Sequence, residues 1–223
     1  ETAIRTIFIA DKYLGYCMTK DWTGNNNSIW KTLGASNHTD KERQSEDFYA
    51  TDEIAIDKLL KIVHPHKQIW ECAAGAGHLS ERLTYFGYNV YSTDIVERGY
   101  PLGAIKDFLT ATSADVPFEG KFDILTNPPY KYAKDFVLKA FELLSADCHC
   151  FMFLKLTFLE GKARYKEIFA KTPPKAMYVF SERVLCAKNA DFSGMRAGGG
   201  SAVAYAWYEW QKGYTGDTIV KWI

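Results

Sequence analysis

No stretch of the chain approaches the roughly 18 uninterrupted apolar residues of a membrane-spanning helix, and no charged-then-apolar leader opens it. The expectation is a cytoplasmic protein. Cysteine is scarce: there are five, an odd number, with no CxxC pair. That excludes a disulfide framework and points to a reducing compartment. Cys148-His149-Cys150 stands in an apolar run whose alternate residues face opposite sides, the pattern of a strand and not of a metal clip. The five histidines make no HxxxH or HExxH spacing, so no metal centre is expected. An excess of one charge is also missing, because 27 Lys and Arg balance 27 Asp and Glu. A protein that coats nucleic acid through bulk charge is more basic than this, so any such contact must be local.

What is present suits one large domain. Hydrophobic residues make up 47% of the 223, aromatics 15% and charged residues 24%, enough to bury a core and too apolar for a disordered chain. Residues 1–47 are polar and irregular, with Asn25-Asn26-Asn27 and a charged run from Asp40 to Asp47, and read as an arm. Residues 48–223 read as a single α/β domain. Thr51 before Asp52 and Glu53 resembles a helix start, a hydroxyl cap with acids against the helix dipole. Ile54, Ile56, Leu59, Leu60 and Val63 follow at helical spacing up to His64-Pro65. Strands are predicted over 68–73, 89–93, 122–126, 148–156, 176–180 and 202–210, with a short element at 104–108. Helices are predicted over 78–86, 133–144 and 161–170. This alternation implies βαβ units and a mostly parallel sheet with helices on both faces. No helix is predicted between the last two strands, where 181–201 read as a glycine-containing loop and the final strand is expected to run antiparallel.

Three constellations carry chemistry. Glu71-Cys72-Ala73-Ala74-Gly75-Ala76-Gly77 follows the first strand and opens a helix, where ligands bind in open parallel sheets. The third glycine of a dinucleotide fingerprint would fall at Ser80, which counts against NAD or FAD. Asp94 ends the next strand, about twenty residues beyond the glycines, where a carboxylate can accept from both hydroxyls of a ribose. Asp107-Phe108 offers an acceptor and an aromatic face suited to adenine. Taken singly, each of these also reads as ordinary packing or an exposed acid. Together they describe a nucleoside-shaped crevice without a phosphate cradle.

The most specific constellation is Asn127-Pro128-Pro129-Tyr130 at the end of the fourth strand. By chance this tetrapeptide occurs in roughly one chain in a thousand at average residue frequencies. Each proline holds the residue before it extended, presenting the Asn127 side-chain carbonyl and the Pro128 main-chain carbonyl as two rigid acceptors. Two acceptors suit an amino group with two hydrogens. An exocyclic ring amine is a poor nucleophile because its lone pair is delocalised, and holding both N–H bonds favours a pyramidal nitrogen with an aimed lone pair. Tyr130 adds a face on which a planar group can stack.

These motifs together resemble the S-adenosylmethionine-dependent amino-methyltransferases, and within them the DNA adenine N6-methyltransferases of small phage type. The resemblance takes in Phe48-Tyr49-Ala50-Thr51, similar to the family's aromatic motif, and the closing Trp207-Tyr208-Glu209-Trp210, and spans roughly 40–223. It implies a Rossmann-like class I methyltransferase fold with a seven-stranded sheet and S-adenosyl-L-methionine as cofactor. It further implies that Phe48, Tyr49, Thr51, Glu71, Ala73, Gly75 and Gly77 lie toward the methionine end of that cofactor. Asp94 would take the ribose, Ile95 pack on the adenine, and Asp107 and Phe108 hold the adenine edge and face. Asn127, Pro128, Pro129 and Tyr130 would bind the target amine and base. Cys72 stands where a proline is common in the family, and Ala50-Thr51 replaces the usual Thr-Pro. The separate recognition domain of many restriction-system enzymes is not expected, since no long segment follows Trp210.

The implied partner is DNA in a bacterial or phage-infected cell, with the target base flipped out of the stack. Between Lys155 and Arg196 stand nine basic residues against four acids, the one basic footprint on a neutral chain. Arg183, Lys188 and Arg196, in the glycine-containing loop, are the expected phosphate contacts. Cys186 lacks the Pro-Cys context of ring-carbon methyltransferases and reads as a free buried cysteine. An RNA base, a protein glutamine amide, and a non-catalytic nucleoside-binding module are the alternatives.

Overall fold

The computed structural model describes residues 49–188, 190–197 and 203–223, with only the backbone of Lys188. The expected arm over 1–47, and Phe48, lie outside the described residues.

Strands β1 (Tyr49–Thr51), β2 (Gln68–Glu71), β3 (Asn89–Asp94), β4 (Ala104–Ile105), β5 (Asp123–Thr126), β6 (His149–Lys155), β7 (Ala176–Val179), β8 (Cys186–Lys188), β9 (Tyr205–Gln211) and β10 (Ile219–Trp222) form two sheets. The main sheet runs β10-β7-β9-β6-β5-β2-β3-β4. Only β9 is antiparallel to its neighbours, β6 and β7; every other pair in that sheet is parallel. The expected α/β doubly covered sheet with an antiparallel late strand is therefore present. It carries an eighth strand where seven were expected, because β10 adds in parallel to β7 at the edge.

Period-two alternation distributes side chains to two cores. Trp70, Ile124, Cys150, Met152, Leu154, Ala206, Tyr208 and Trp210 enter one core. Ile69, Leu125, Phe151, Phe153, Tyr205 and Trp207 enter the other. Helix α3 (Ala133–Leu143) covers the first with Ala133, Phe136, Val137 and Ala140. Helices α1 (Ile54–Leu60) and α2 (His78–Tyr85) cover the second with Ile56, Leu59, Leu79 and Leu83. Both faces of β2, β5 and β6 are thus sealed, as near-continuous apolar strands require.

Several local expectations are corrected. Thr51 does not cap α1, because it is paired in β1; the Asp52 carboxylate accepts from the Ile54 amide instead, at 3.3 Å. The helix closes at Leu60, before the predicted end. The predicted helix over 161–170 is a three-residue α-turn, α4 (Lys162–Arg164), continued by a π-helix at Tyr165–Phe169. The loop over 181–201 carries β8 and the short helix α5 (Phe192–Ala197), so a helix does stand between β7 and β9. Strand β8 pairs antiparallel with β1, Thr51 opposite Cys186 and Tyr49 opposite Lys188. A pairing between segments 137 positions apart leaves no local trace in sequence.

Trp207 is fully buried and its indole N–H donates to the Ala55 carbonyl at 2.9 Å, whereas Trp222 is 72% exposed. Trp207→Ala should cost about 3–5 kcal/mol in a urea titration, and Trp222→Ala should stay within about 0.5 kcal/mol.

Candidate functional site

The carboxyl ends of β2, β3, β4, β5 and β6 line one edge of the sheet, and the chemical residues collect there. Glu71 ends β2 with no exposed surface. One carboxyl oxygen, Oε1, accepts from the Thr126 hydroxyl at the end of β5 and from the Ala73 amide at 3.1 Å. The other, Oε2, is buried without a partner among the described residues. Asp94 adds a like charge. Burial therefore pushes the Glu71 pKa up to about 8, against the lowering bonds from Thr126 and Ala73.

The turn after β2 is built on two left-handed glycines, Gly75 at φ +57° and Gly77 at φ +85°. Gly77 is constrained twice, since a Cβ there would stand 2.1 Å from the Tyr100 ring. Asp94, ending β3, ties this turn to the next strand. Its Oδ2 accepts from the Gly75 amide at 2.8 Å and its Oδ1 from the Val96 amide at 2.9 Å. A carboxylate has about four lone-pair sites, so acceptor capacity remains for hydroxyl groups. Ile95, directly after it, is 65% exposed. Ser80, at the third-glycine position, is buried and hydrogen-bonds the Ser92 hydroxyl at 2.8 Å. Close helix–strand contact is made here by two hydroxyls.

Asp107 caps a single 3₁₀ turn, its carboxylate accepting from the Leu109 amide at 2.9 Å. Phe108 corrects the sequence reading of it. Its ring is 1% exposed and packed edge-on to Trp70 and against Phe136, with centroids at 5.4 and 5.0 Å. The ring belongs to the core and offers no face to an adenine. The exposed apolar surface beside the crevice comes from Ile95 and from Ile105, which is 62% exposed.

At the end of β5, the Asn127 amide is oriented from outside its own segment. Its Nδ2 donates to the Tyr49 carbonyl at 2.9 Å and lies 3.5 Å from the Cys186 sulfur. Its carbonyl oxygen Oδ1 is buried and has no partner among the described residues. Pro128 is buried and Pro129 exposed, and a 3₁₀ turn, Tyr130–Tyr132, follows. Tyr130 contacts the Cys186 sulfur through its hydroxyl at 3.2 Å and stacks near-parallel with Tyr205 at 6.1 Å. The Lys155 ammonium lies 5.0 Å from its ring centre. Burial raises the Tyr130 phenol far above its ordinary range, so the ring is neutral at any physiological pH.

Thr51 also lies at this end, its buried hydroxyl unpartnered among the described residues, and Tyr49 is half exposed. Sequence reasoning therefore placed Tyr49, Thr51, Glu71, Ala73, Gly75, Gly77, Asp94, Ile95 and Asn127 to Tyr130 along one sheet edge. It missed Cys186 and Tyr205, which reach the site only through strand pairing, and the bond that Thr126, next to Asn127 in the chain, makes to Glu71.

The expected phosphate contacts are less uniform. Arg183 is exposed. Arg196 is committed to an ion pair with Asp52 at 2.7 Å, and the Lys188 side chain lies outside the described residues. Elsewhere, ligand atoms of His66, Asp123 and Cys148 fall within 4.8 Å of one another, a proximity that the sequence spacing did not indicate. The buried Asp123 is already used by the His66 amide and ring and by the His149 amide, at 2.6, 2.9 and 2.6 Å. Among the described residues, no helix is long and apolar enough to cross a membrane.

No family model matches the chain, and no curated protein matches it. Solved structures do. A candidate hemolysin from Lactococcus lactis aligns with a TM-score of 0.53 at 13% identity, covering 76% of this chain and 91% of that one. A candidate class I S-adenosylmethionine-dependent methyltransferase from Listeria monocytogenes aligns at 0.50 and 10% identity, covering 77% and 64%. The type IIG restriction endonuclease BpuSI aligns at 0.53 and 14% identity, covering 78% of this chain and 27% of that one. At such identities the likeness speaks for the fold. With β9 alone antiparallel in an otherwise parallel sheet covered on both faces, the chain has the fold of the class I S-adenosylmethionine-dependent methyltransferases.

Proposed function

We propose that the chain is an S-adenosylmethionine-dependent methyltransferase that modifies the exocyclic N6 amine of adenine in DNA. The observation that carries this reading is the Asn127 amide. Its donor end is occupied by the Tyr49 carbonyl and its acceptor end is buried and unpartnered among the described residues. A lone carbonyl oxygen held in a proline-braced turn calls for an N–H donor, and leaving it unmet costs about 1–3 kcal/mol. The second hydrogen of the amine falls to the Pro128 carbonyl. Tyr130, as a neutral ring, supplies the stacking face for a base turned out of its helix.

The cofactor pocket fits by the same test. Glu71 Oε2 and Thr51 Oγ1 are buried oxygens without partners among the described residues, suited to the ammonium end of an amino acid once Glu71 gives up its proton. Asp94 retains acceptor sites for a ribose, and Ile95 and Ile105 offer apolar surface for an adenine. S-adenosylmethionine supplies a methyl group already activated on a sulfonium. The chain's part is to hold the amine in line with it and keep water out. The DNA assignment rests on the phage-type resemblance and on the local basic stretch, along which Lys162, Lys166, Lys171, Arg183 and Arg196 are exposed.

Asp94→Ala should weaken S-adenosylmethionine binding by about 1–3 kcal/mol in calorimetry; tight NADH binding with no response to S-adenosylmethionine would overturn the reading. Asn127→Ala should abolish turnover with cofactor affinity nearly unchanged. Tyr130→Ala should lose about 1–3 kcal/mol of base binding, most of it retained in Tyr130→Phe.

Glu71 generates a pH dependence. Its folded pKa lies above the unfolded value, so the ligand-free protein binds the extra proton and loses stability as pH rises from about 4.5 toward 8. Glu71→Gln should flatten that slope in denaturant titrations at stepped pH. A cationic ligand on Oε2 favours the carboxylate, so cofactor binding near pH 7 should release protons, read as a dependence of calorimetric heat on buffer ionisation enthalpy.

Product made with methyl-labelled cofactor identifies the polymer. Label lost to DNase supports DNA. Label surviving DNase and lost to RNase moves the substrate to RNA, and label resisting both moves it to protein.

A further inference from the structure

Cys186 is 2% exposed and reaches two of the four residues of the Asn-Pro-Pro-Tyr turn, although it stands 56 positions or more from both. Strand pairing brings it there. β8 lies antiparallel to β1 with Cys186 opposite Thr51 and with Lys188 opposite Tyr49. Its sulfur is 3.5 Å from Asn127 Nδ2, 3.2 Å from the Tyr130 hydroxyl and 4.0 Å from the Tyr49 carbonyl. The two ends of an Asn amide are nearly equal in size, and only hydrogen-bonding partners decide which end points where. Here the main-chain carbonyl and the sulfur are both acceptors gathered on one side, and both select the amino end.

On this geometry we propose that Cys186 is a positioning residue for methyl transfer. Its sulfur and the Tyr49 carbonyl hold the amino end of Asn127, so that the carbonyl end faces the acceptor amine, and the same sulfur anchors the Tyr130 ring beside it. This rests on the amino-methyltransferase reading above. A consistent set of bonds has the Asn127 N–H and the Tyr130 O–H donating to sulfur while the S–H points toward the Tyr49 carbonyl. Cys186 undergoes no covalent change in this role. Burial raises its thiol above the ordinary range, against smaller lowering effects of its hydrogen bonds and of Lys155, so it remains a neutral thiol and not a nucleophile. The chain thereby uses a cysteine in the active region for orientation, while the transfer itself is direct.

Cys186→Ala, Cys186→Ser and, as a control for loss of a buried thiol elsewhere, Cys148→Ala test this. Turnover, KM for S-adenosylmethionine and melting temperature are measured for each, together with the Asn127 side-chain amide resonances, assigned by their loss in Asn127→Ala. Expected for Cys186→Ala is a kcat about tenfold lower with cofactor KM unchanged and the Asn127 amide resonances displaced. Cys186→Ser, which keeps a hydrogen-bonding atom, should recover most of the rate, and Cys148→Ala should move neither readout. Wild-type kcat in Cys186→Ala overturns the proposal whatever its resonances do, and so does a loss of rate accompanied by an equal loss of cofactor binding. If Cys186→Ala fails to fold, Cys186→Ser decides, since undisplaced Asn127 resonances in it with a tenfold lower kcat would exclude action through the amide. A wild-type protein that methylates no polymer defeats the broader reading. In that case unmoved Asn127 resonances in Cys186→Ala defeat the orienting contact too, and displaced ones confine it to holding the amide.

Discussion

Burial of both faces of β2, β5 and β6 is the constraint on which everything else rests. Strands covered on both sides can carry polar groups in their middle only when every such group is matched. Where the sheet holds buried acids away from the carboxyl edge, that condition is met. Asp123, at the start of β5, accepts from the His66 amide, its ring and the His149 amide. Glu209, in β9, accepts from the His149 ring and the Tyr178 hydroxyl and is joined by Lys175. These two acids are structural, and their partners lie within the protein.

The carboxyl edge behaves differently. There Glu71, Thr51 and Asn127 each keep a buried oxygen without a partner among the described residues. A fold that matches Asp123 and Glu209 so fully has the means to match these as well. Three buried oxygens without partners at one edge, beside Asp94 and the exposed Ile95, mark the surface on which the proposed site is built. The raised pKa of Glu71 belongs to the same setting, since a fully buried carboxyl beside the like charge of Asp94 retains its proton. Matched and unmatched buried polar groups thus stand at opposite edges of the sheet.

The β1–β8 pair adds a second layer to this division. It contributes little to either core beyond Ala50, Cys186 and Ala187, yet it supplies the carbonyl and the sulfur that face Asn127. Proline bracing alone fixes the Asn127 backbone and leaves its amide free to flip. The strand pair closes that remaining degree of freedom at the cost of two short strands.

Much of this was legible in the sequence. Short apolar runs between turn residues marked β2, β3, β5, β6 and β9 within a residue or two at most ends, because the near-continuous apolar character of a strand covered on both faces is a local property of the chain. The turn from Glu71 to Gly77, Asp94 and Asn127 to Tyr130 were found because each follows immediately on a strand, and the end of a parallel strand is where a ligand can be met. The sequence misled where a side chain's environment is set by distant segments. Phe108 looked like a free aromatic beside an acid, but Trp70 and Phe136 enclose it. Arg196, expected to contact phosphate, also pairs with Asp52 across 144 positions, a contact that its local sequence does not reveal. Tyr205 and Cys186 could not be assigned to the site, and the bond from Thr126 to Glu71 could not be read, since no spacing rule connects residues that meet only after strands pair. The sequence by itself therefore determined the order of elements and the chemistry offered at each strand end. Tertiary structure decided which groups are satisfied, because hydrogen bonds and burial depend on separation in space, and that is fixed only when the sheet is assembled.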